Sequence, residues 1–334
     1  MSPVIAIDAM GGDRAPGEIV AGAVAALDIL DVDIVLVGRP DAINAHLPGG
    51  VPPAHLTVLP AQDVIAMGDD PASAVRTKKD ASLVRAAEAV RDGAADAMVG
   101  AGNTGATMAA ALLRMGRIRG VHRPAIAVPL PIVGTDRVQL LVDAGATVDA
   151  EPEWLVEWVE LGREYACVCV GVDEPTVALL SNGEEAGKGD SLRKRAFELL
   201  SDVKGFVGNV EGRDLMKPCA DVIVTDGFTG NIVLKTLEGA MLGMAGLVFG
   251  VVDEPGSLWT SVADSLKLRL LEAAAPLLPD NTGGAMLLGI NGVCVISHGA
   301  SSPGAVVNAV RVARDSVAAD VVARLQEAAA RVGV

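Results

Sequence analysis

Aromatic rings are scarce in this chain: three Trp, one Tyr and four Phe among 334 residues, 2% in all. With 51% hydrophobic residues and 38 glycines, that is the composition of an Ala/Val/Leu/Gly-rich α/β enzyme and not of a disordered chain. Positive charge is short as well, 27 Lys and Arg against 42 Asp and Glu, which leaves a net charge of −15. No overall basic field exists, so nucleic acid is excluded as a general partner. A protein this acidic binds an anion only through a local exception.

There are four cysteines, Cys167, Cys169, Cys219 and Cys294, too few for a disulfide framework and without a zinc-type C-x-x-C pair. They read as buried free thiols in a reducing cytosol. No secretory signal is expected, since the first residues enter a strand directly. Long hydrophobic runs are missing too. The uncharged stretch 239–252 has only fourteen residues, and 281–310 is broken by Asn, Ser, Pro and six glycines. Also absent are a Walker pattern, a G-x-S-x-G elbow and a plausible Cys–His pair, which weighs against a P-loop nucleotidase and against a serine or cysteine nucleophile. A bound substrate is then the expected nucleophile.

What is present is one local design used repeatedly. In 220–237, ADVIVTDGFTGNIVLKTL, a short β-branched strand stops in a polar glycine turn and feeds a helix. Such a junction gathers free backbone N–H groups and a positive dipole end. Asp226 and Asn231 stand there. The design recurs as IDAMGGD (7–13), VGAGNTG (99–105), LLSNGEEAGKG (179–189) and VISHGASS (295–302). If these strands share a sheet, their C-terminal turns are expected along one edge, where open α/β sheets place ligands.

Periodicity predicts strands at 3–7, 33–37, 56–59, 96–99, 125–130, 139–142, 176–180, 206–208, 221–224 and 293–297. It predicts helices at 19–30, 73–91, 105–115, 152–166, 191–200, 231–251 and 257–277, with a closing helix to about residue 330. The alternation implies a mostly parallel sheet with helices on both faces. One domain, 1–334, is expected, with a protruding helical hairpin at 231–280.

Gly100–Gly105 formally matches G-x-G-x-x-G, but no Asp or Glu occurs between Asp96 and Asp136 to hold a ribose. NAD is therefore not expected, and neither another cofactor nor a metal is called for. Gly102, Asn103 and Thr104 can cradle an anion or simply cap a helix. At Asp8, Gly11 and Gly12 the glycines either admit a ligand close to the backbone or serve a turn needing positive φ. Lys188, between glycines, suits phosphate oxygens or belongs to a solvated charge cluster with Glu184 and Glu185. His298 ends a strand, as an oxyanion donor, an acid or a structural histidine.

As a set, IDAMGGD, RTKKDASL, AGNTGA, NGEEAGKG, GNVEGRD, TDGFTGN and GGAMLLGINGVCVISHGAS resemble, in order and spacing, the family of phosphate acyltransferases that use acyl carrier protein. The resemblance covers nearly the whole chain. It implies transfer of a fatty acyl group from acyl carrier protein to inorganic phosphate, giving acyl phosphate for membrane phospholipid synthesis. It further implies a sheet fold like that of phosphotransacetylase and the isocitrate/isopropylmalate dehydrogenases, a homodimer, and a cytoplasmic enzyme in loose contact with the membrane. In that chemistry Lys188 and the turns at Gly11–Gly12 and Gly102–Thr104 would hold phosphate, and Asn231 with His298 would donate to the oxyanion. Asp226 would orient one of them. Carrier proteins are acidic, and 97–135 holds Arg114, Arg117, Arg119 and Arg123 without one acidic residue, a candidate docking patch or else a solvated face or a set of internal ion pairs. Residues 239–270, with Gly239, Gly243, Gly246 and Gly250 on one face and Trp259, Lys267 and Arg269 beyond, are the candidate for peripheral membrane contact or for a dimer interface.

Overall fold

Segments such as Val222–Val224 and Val293–Ile296 are apolar at every residue, a pattern satisfied only when both faces of a strand are covered. A computed structural model of the chain, describing residues 2–252, 269 and 283–332, has that arrangement. Its strands are β1 (Val4–Asp8), β2 (Asp33–Gly38), β3 (Leu56–Pro60), β4 (Ala97–Gly100), β5 (Ala125–Pro131), β6 (Val138–Val142), β7 (Val177–Leu180), β8 (Phe206–Val210), β9 (Val222–Val224), β10 (Ala285–Leu288) and β11 (Val293–Ile296). All join one sheet in the order β3-β2-β1-β4-β11-β10-β5-β6-β9-β7-β8.

The sheet consists of two parallel blocks and a seam. β3, β2, β1, β4 and β11 run parallel, as do β6, β9, β7 and β8. Between them β11–β10, β10–β5 and β5–β6 all pair antiparallel. An odd number of reversals makes the two blocks run in opposite senses. The expected single edge is thus overturned, because β10, a four-residue strand entered through Gly283 and Gly284, escapes periodicity altogether. The register nevertheless brings the strand ends together. Val99, Val295, Met286, Ala127, Val142 and Val224 form one row across the sheet, so both blocks end at the same level on either side of the seam.

Alternate residues feed alternate faces. On one side Ile5, Ile7, Leu140 and Val222 lie under Ala23, Trp158, Leu200, Val310 and Leu325, from helices Gly17–Ile29, Pro152–Tyr165, Ser191–Leu200, Pro303–Ala318 and Val321–Val332. On the other, Ala6, Met98, Ile126, Leu141 and Cys294 lie under Val75, Leu83 and Ala106 from helices Pro71–Thr77, Ser82–Arg91 and Thr104–Ala110. Burial pushes the Cys294 thiol up to about 12, which makes it an inert apolar side chain; Cys167 and Cys219 are also free but only half-buried.

Three helices differ from expectation. The one expected over 73–91 breaks after Thr77, where Lys78 turns away to bind the Val64 carbonyl and the Asp69 carboxylate. The closing helix breaks at Asp320, whose φ of 52° is left-handed. The helix expected from Asn231 begins at Gly227 instead, because the Asp226 carboxylate accepts the Thr229 N–H at 2.8 Å and caps it. This helix, Gly227–Val252, is long and apolar enough by length and composition to cross a membrane, over 227–248. Its expected partner at 257–277 lies, apart from residue 269, outside the described residues, and so does the tip of the hairpin.

Helix Gly227–Val252 seats its first turn on the backbone that follows β6. A Cβ added at Gly230 would lie 1.9 Å from the Asp143 carbonyl oxygen. Gly-to-Ala exchange inside a helix normally stabilises by up to about 1 kcal/mol. Gly230→Ala is predicted to do the reverse, losing at least about 1–3 kcal/mol to overpacking, read from urea unfolding. A gain in stability would show that the helix does not rest there.

Candidate active site

The turns after β1, β4 and β11 stack on one another. Cα of Gly11 lies 3.2 Å from the point where Gly102 would carry a Cβ, and Gly12, at φ +108°, packs on the carbonyls of Ala101 and Gly299. Glycine is required here so that loops can approach each other. Asp13 N–H donates to the Gly299 carbonyl at 2.8 Å and extends the stack. Asp8 is buried at its base and accepts the Met10 N–H at 3.1 Å. Burial raises its carboxyl above the usual range, against the opposing hydrogen bonds of Ser82, Met10 and Gly11.

The Asn103 side chain is already committed. Its oxygen caps the next helix by accepting the Ala106 N–H at 3.0 Å, and its NH2 group donates to the Met67 carbonyl at 3.0 Å. What this turn offers an anion is therefore backbone and Thr104. In the third turn, Ala300 N–H donates to His298 Nδ1 at 3.2 Å. A neutral imidazole accepting at Nδ1 carries its proton on Nε2, so the exposed His298 points a donor outward.

Across the seam, the chain leaving β6 wraps the carboxylate of Asp143. Oδ1 accepts N–H groups from Ile126, Gly145 and Ala146 at 2.9–3.0 Å, and Oδ2 accepts that of Thr147 at 2.7 Å. Beside it, Asn231 Nδ2 donates to the Ala144 carbonyl at 3.3 Å. One N–H of that amide remains for another acceptor. Asp226 is bound by the guanidinium of Arg193, which also reaches Thr225 and Thr229. Burial alone would raise the Asp226 carboxyl, but the hydrogen bonds from Thr229 and the charge of Arg193 outweigh it and hold it below its usual value. Asp226 thus caps the helix carrying Asn231 and ties its start to Arg193 through this buried ion pair.

Both sets of loops meet over the seam. A cavity of about 130 Å³ has Ile126, Val128 and Ile296 as its apolar floor, with Thr104 and His298 from one block and Asn231 from the other. Lys188 is not on its wall. It lies exposed on the turn after β7, with its own N–H donated to the Glu185 carbonyl at 3.0 Å. The adjoining Gly189 borders a second hollow, of about 340 Å³, together with Ser181, Arg193 and Thr229.

Arg114 lies near the far end of the helical segment 104–115 from Thr104, about 15 Å along its axis, and Arg117, Arg119 and Arg123 follow it in the chain. Arg114 faces inward, pairing with Glu88 at 3.4 Å and donating to the Val75 carbonyl. Arg117 donates to the His122 carbonyl, and Arg123 stacks over Trp154 at 5.3 Å. Arg117 and Arg119 border a hollow of about 600 Å³ with Asn291 and Gln326. Among the described residues, Glu184, Glu211 and Asp214 stand close enough together to hold a metal ion, but Arg213 already pairs with Glu184 and Glu211.

Sequence reasoning missed Asp143 and Arg193, and also Lys235 and Glu238, which line the cavity beside Asn231. Asp143-Ala-Gly-Ala-Thr is one more strand-ending polar glycine turn, and the criterion applied elsewhere finds it. Arg193, Lys235 and Glu238 lie inside helices and carry no local signal of their own.

The fold is a known one. The structure is similar to that of a phosphotransacetylase from Streptococcus pyogenes (TM-score 0.63, 15% identity, covering 95% of this chain and 94% of that one). It is also similar to a branched-chain phosphotransacylase from Enterococcus faecalis (TM-score 0.60, 17% identity, covering 95% and 99%). At such identities the likeness is one of fold, and the α/β phosphotransacetylase-like class is what it defines. Sequence relatives are nearer. A family model described as "Fatty acid synthesis protein" matches residues 4–324. Phosphate acyltransferases from Desulfitobacterium hafniense (45% identical over 318 residues, covering 94% of this chain and 93% of the relative) and Bacillus subtilis (43% over 327, covering 97% of each) align along nearly their whole length. The chain belongs to this family of phosphate acyltransferases.

Burial raises the Asp143 carboxyl from 3.8 to about 6, although its four N–H donors favour the charged form. Between those values the unfolded chain is ionised while the folded carboxyl keeps its proton. The folded state therefore loses stability as pH rises from about 4 to about 6, by up to about 3 kcal/mol, and levels off above. Urea unfolding over this range should show the slope in the wild type and its loss in Asp143→Asn, which is less stable throughout. Equal slopes in the two proteins would contradict the assignment.

Proposed function

We propose that this acyltransferase moves a fatty acyl group from acyl carrier protein to inorganic phosphate, giving acyl phosphate for phospholipid synthesis. The observation that carries the reading is the cavity over the seam. Asn231, with one amide N–H to spare, and His298, with its proton on Nε2, both line this hollow over an apolar floor.

The thioester carbonyl enters this hollow with its oxygen toward Asn231 and His298, and its alkyl chain over Ile126, Val128 and Ile296. Orthophosphate attacks the carbonyl carbon, the C–O bond forms, and the oxyanion is held by the two donors. Collapse breaks the C–S bond and releases a thiolate, a leaving group that needs little protonation. No strong general acid is required. Phosphate is heavily hydrated, so it must be met by groups that replace its water. Lys188, exposed on its glycine turn and without an ion pair to another described residue, is one such cation, and the turns at Gly11–Gly12 and Gly102–Thr104 offer backbone donors.

Acyl carrier protein is assigned to the face of Arg117, Arg119 and Arg123, with Arg114 holding it from beneath through Glu88. The family resemblance supports a homodimer and peripheral membrane contact through 239–270, of which the described part exposes Leu242, Met244 and Leu247.

The test is phosphate-dependent release of carrier thiol from acyl carrier protein, compared with release from acyl-CoA. Asn231→Ala is expected to lower kcat about 100- to 1000-fold, as loss of one oxyanion donor does elsewhere. Lys188→Ala should nearly abolish turnover with folding intact. Wild-type rates in both variants would remove this mechanism, and faster turnover of acyl-CoA would replace the donor.

A further inference from the structure

The same cavity holds a charged pair that the reaction above leaves unused. Lys235 and Glu238 line it, on the helix that supplies Asn231. Asn231 and Lys235 are four residues apart, hence on one helix face and one turn apart. Their neighbour Glu238 holds the Lys235 ammonium at 2.8 Å. Among the described residues of the cavity wall, Lys235 is the one lysine or arginine. The side chains are 46% and 19% exposed, so both reach open space while the carboxylate is the more enclosed of the two. As a surface ion pair the two would add little to stability. Their position matters more: they stand beside the carbonyl site, above an apolar floor that weakens competition from water.

We propose that Lys235 and Glu238 are the part of the orthophosphate site that lies inside the cavity, beside the contributions of Lys188 and the glycine turns proposed above, and that Glu238 makes it reject sulfate. The inference rests on the reading of phosphate as the acyl acceptor. Hydrogen phosphate near neutral pH has three oxygens for a cation and one P–OH group that must find an acceptor. Lys235 supplies the cation. Glu238 supplies the acceptor, through a charge-assisted O–H···O contact. Sulfate has the same size and shape but no proton at neutral pH. Its lone pairs would face the carboxylate, and two like charges held in contact with no proton between them repel. A subsite with lysine alone would bind either anion; the adjoining carboxylate turns it into one that requires a donor hydroxyl. No proton is transferred in this step. The pair selects and positions the nucleophile one helical turn from the amide that receives the oxyanion.

Wild type, Lys235→Gln, Lys235→Arg and Glu238→Gln are compared in the carrier-thiol assay with phosphate varied and sulfate as competitor. Lys235→Gln should raise KM for phosphate at least about tenfold, the loss of one charge-assisted contact, with Lys235→Arg restoring part of it. Glu238→Gln should let sulfate compete, lowering the ratio of its inhibition constant to the phosphate KM at least about tenfold. A purely structural role would leave that ratio unchanged. An unaltered phosphate KM in Lys235→Gln, or an unaltered ratio in Glu238→Gln, overturns the subsite while acyl transfer to phosphate stands. If the wild type released no thiol on addition of phosphate, the acceptor reading itself would fail. The subsite is then judged by melting temperature without acyl donor. A rise with phosphate but not with sulfate, lost in Lys235→Gln, supports it, and equal response to both anions overturns it.

Discussion

Three antiparallel pairings in the middle of the sheet set everything else in place. A continuous parallel sheet would send every C-terminal turn to one edge. Here the reversal through β10, β5 and β6 sends the turns of the two blocks in opposite directions, from strand ends that share a level. The seam strands are flanked by loops from both sides, and one face of them becomes a floor. A site assembled this way draws donors from sequence positions as far apart as 104, 231 and 298, all on ends of regular elements. Such positions hold side chains more precisely than free loops do.

Backbone, more than side chains, fixes the helix that carries Asn231. Gly227 and Gly230 bring it against the chain after β6 closer than any Cβ would permit, and Asp143 stiffens that chain by gathering four N–H groups. Arg193, whose side chain is only 11% exposed, closes the arrangement from the neighbouring helix by binding Asp226. Removing one member of such a buried pair leaves the other charge uncompensated, so the pair acts as a latch and not as a source of net stability. The consequence is a helix start that cannot drift relative to the seam. An oxyanion donor works only when its position is set before the charge develops.

Much of this was legible in the sequence. Ten of the strands and most helices follow from period and punctuation, because buried parallel strands are short apolar runs and glycine turns mark their ends. The strand-ending turns at Asp8, Gly102, Asp226 and His298 identify the loops that build the site. β10 was not legible, since four residues between glycines carry no period, and with it went the sense of the second block. The arrangement of the polar side chains was also hidden. Asn103 and Arg114 look like ligand-facing groups, yet each finds partners from distant segments, Met67 and Glu88, that no local pattern announces. Lys235 sat unremarked in a helix for the same reason: only the seam reveals which helix face looks into the hollow.

The central claim is that loops from oppositely running halves of the sheet form one chemical site. A double-mutant cycle between Asn231→Ala and His298→Ala, read as kcat/KM for phosphate-dependent thiol release, tests it most directly. Two donors to one oxyanion should be strongly non-additive, with the double variant retaining far more activity than the product of the single losses. Strict additivity, or no effect of His298→Ala, would mean that the two residues serve different places.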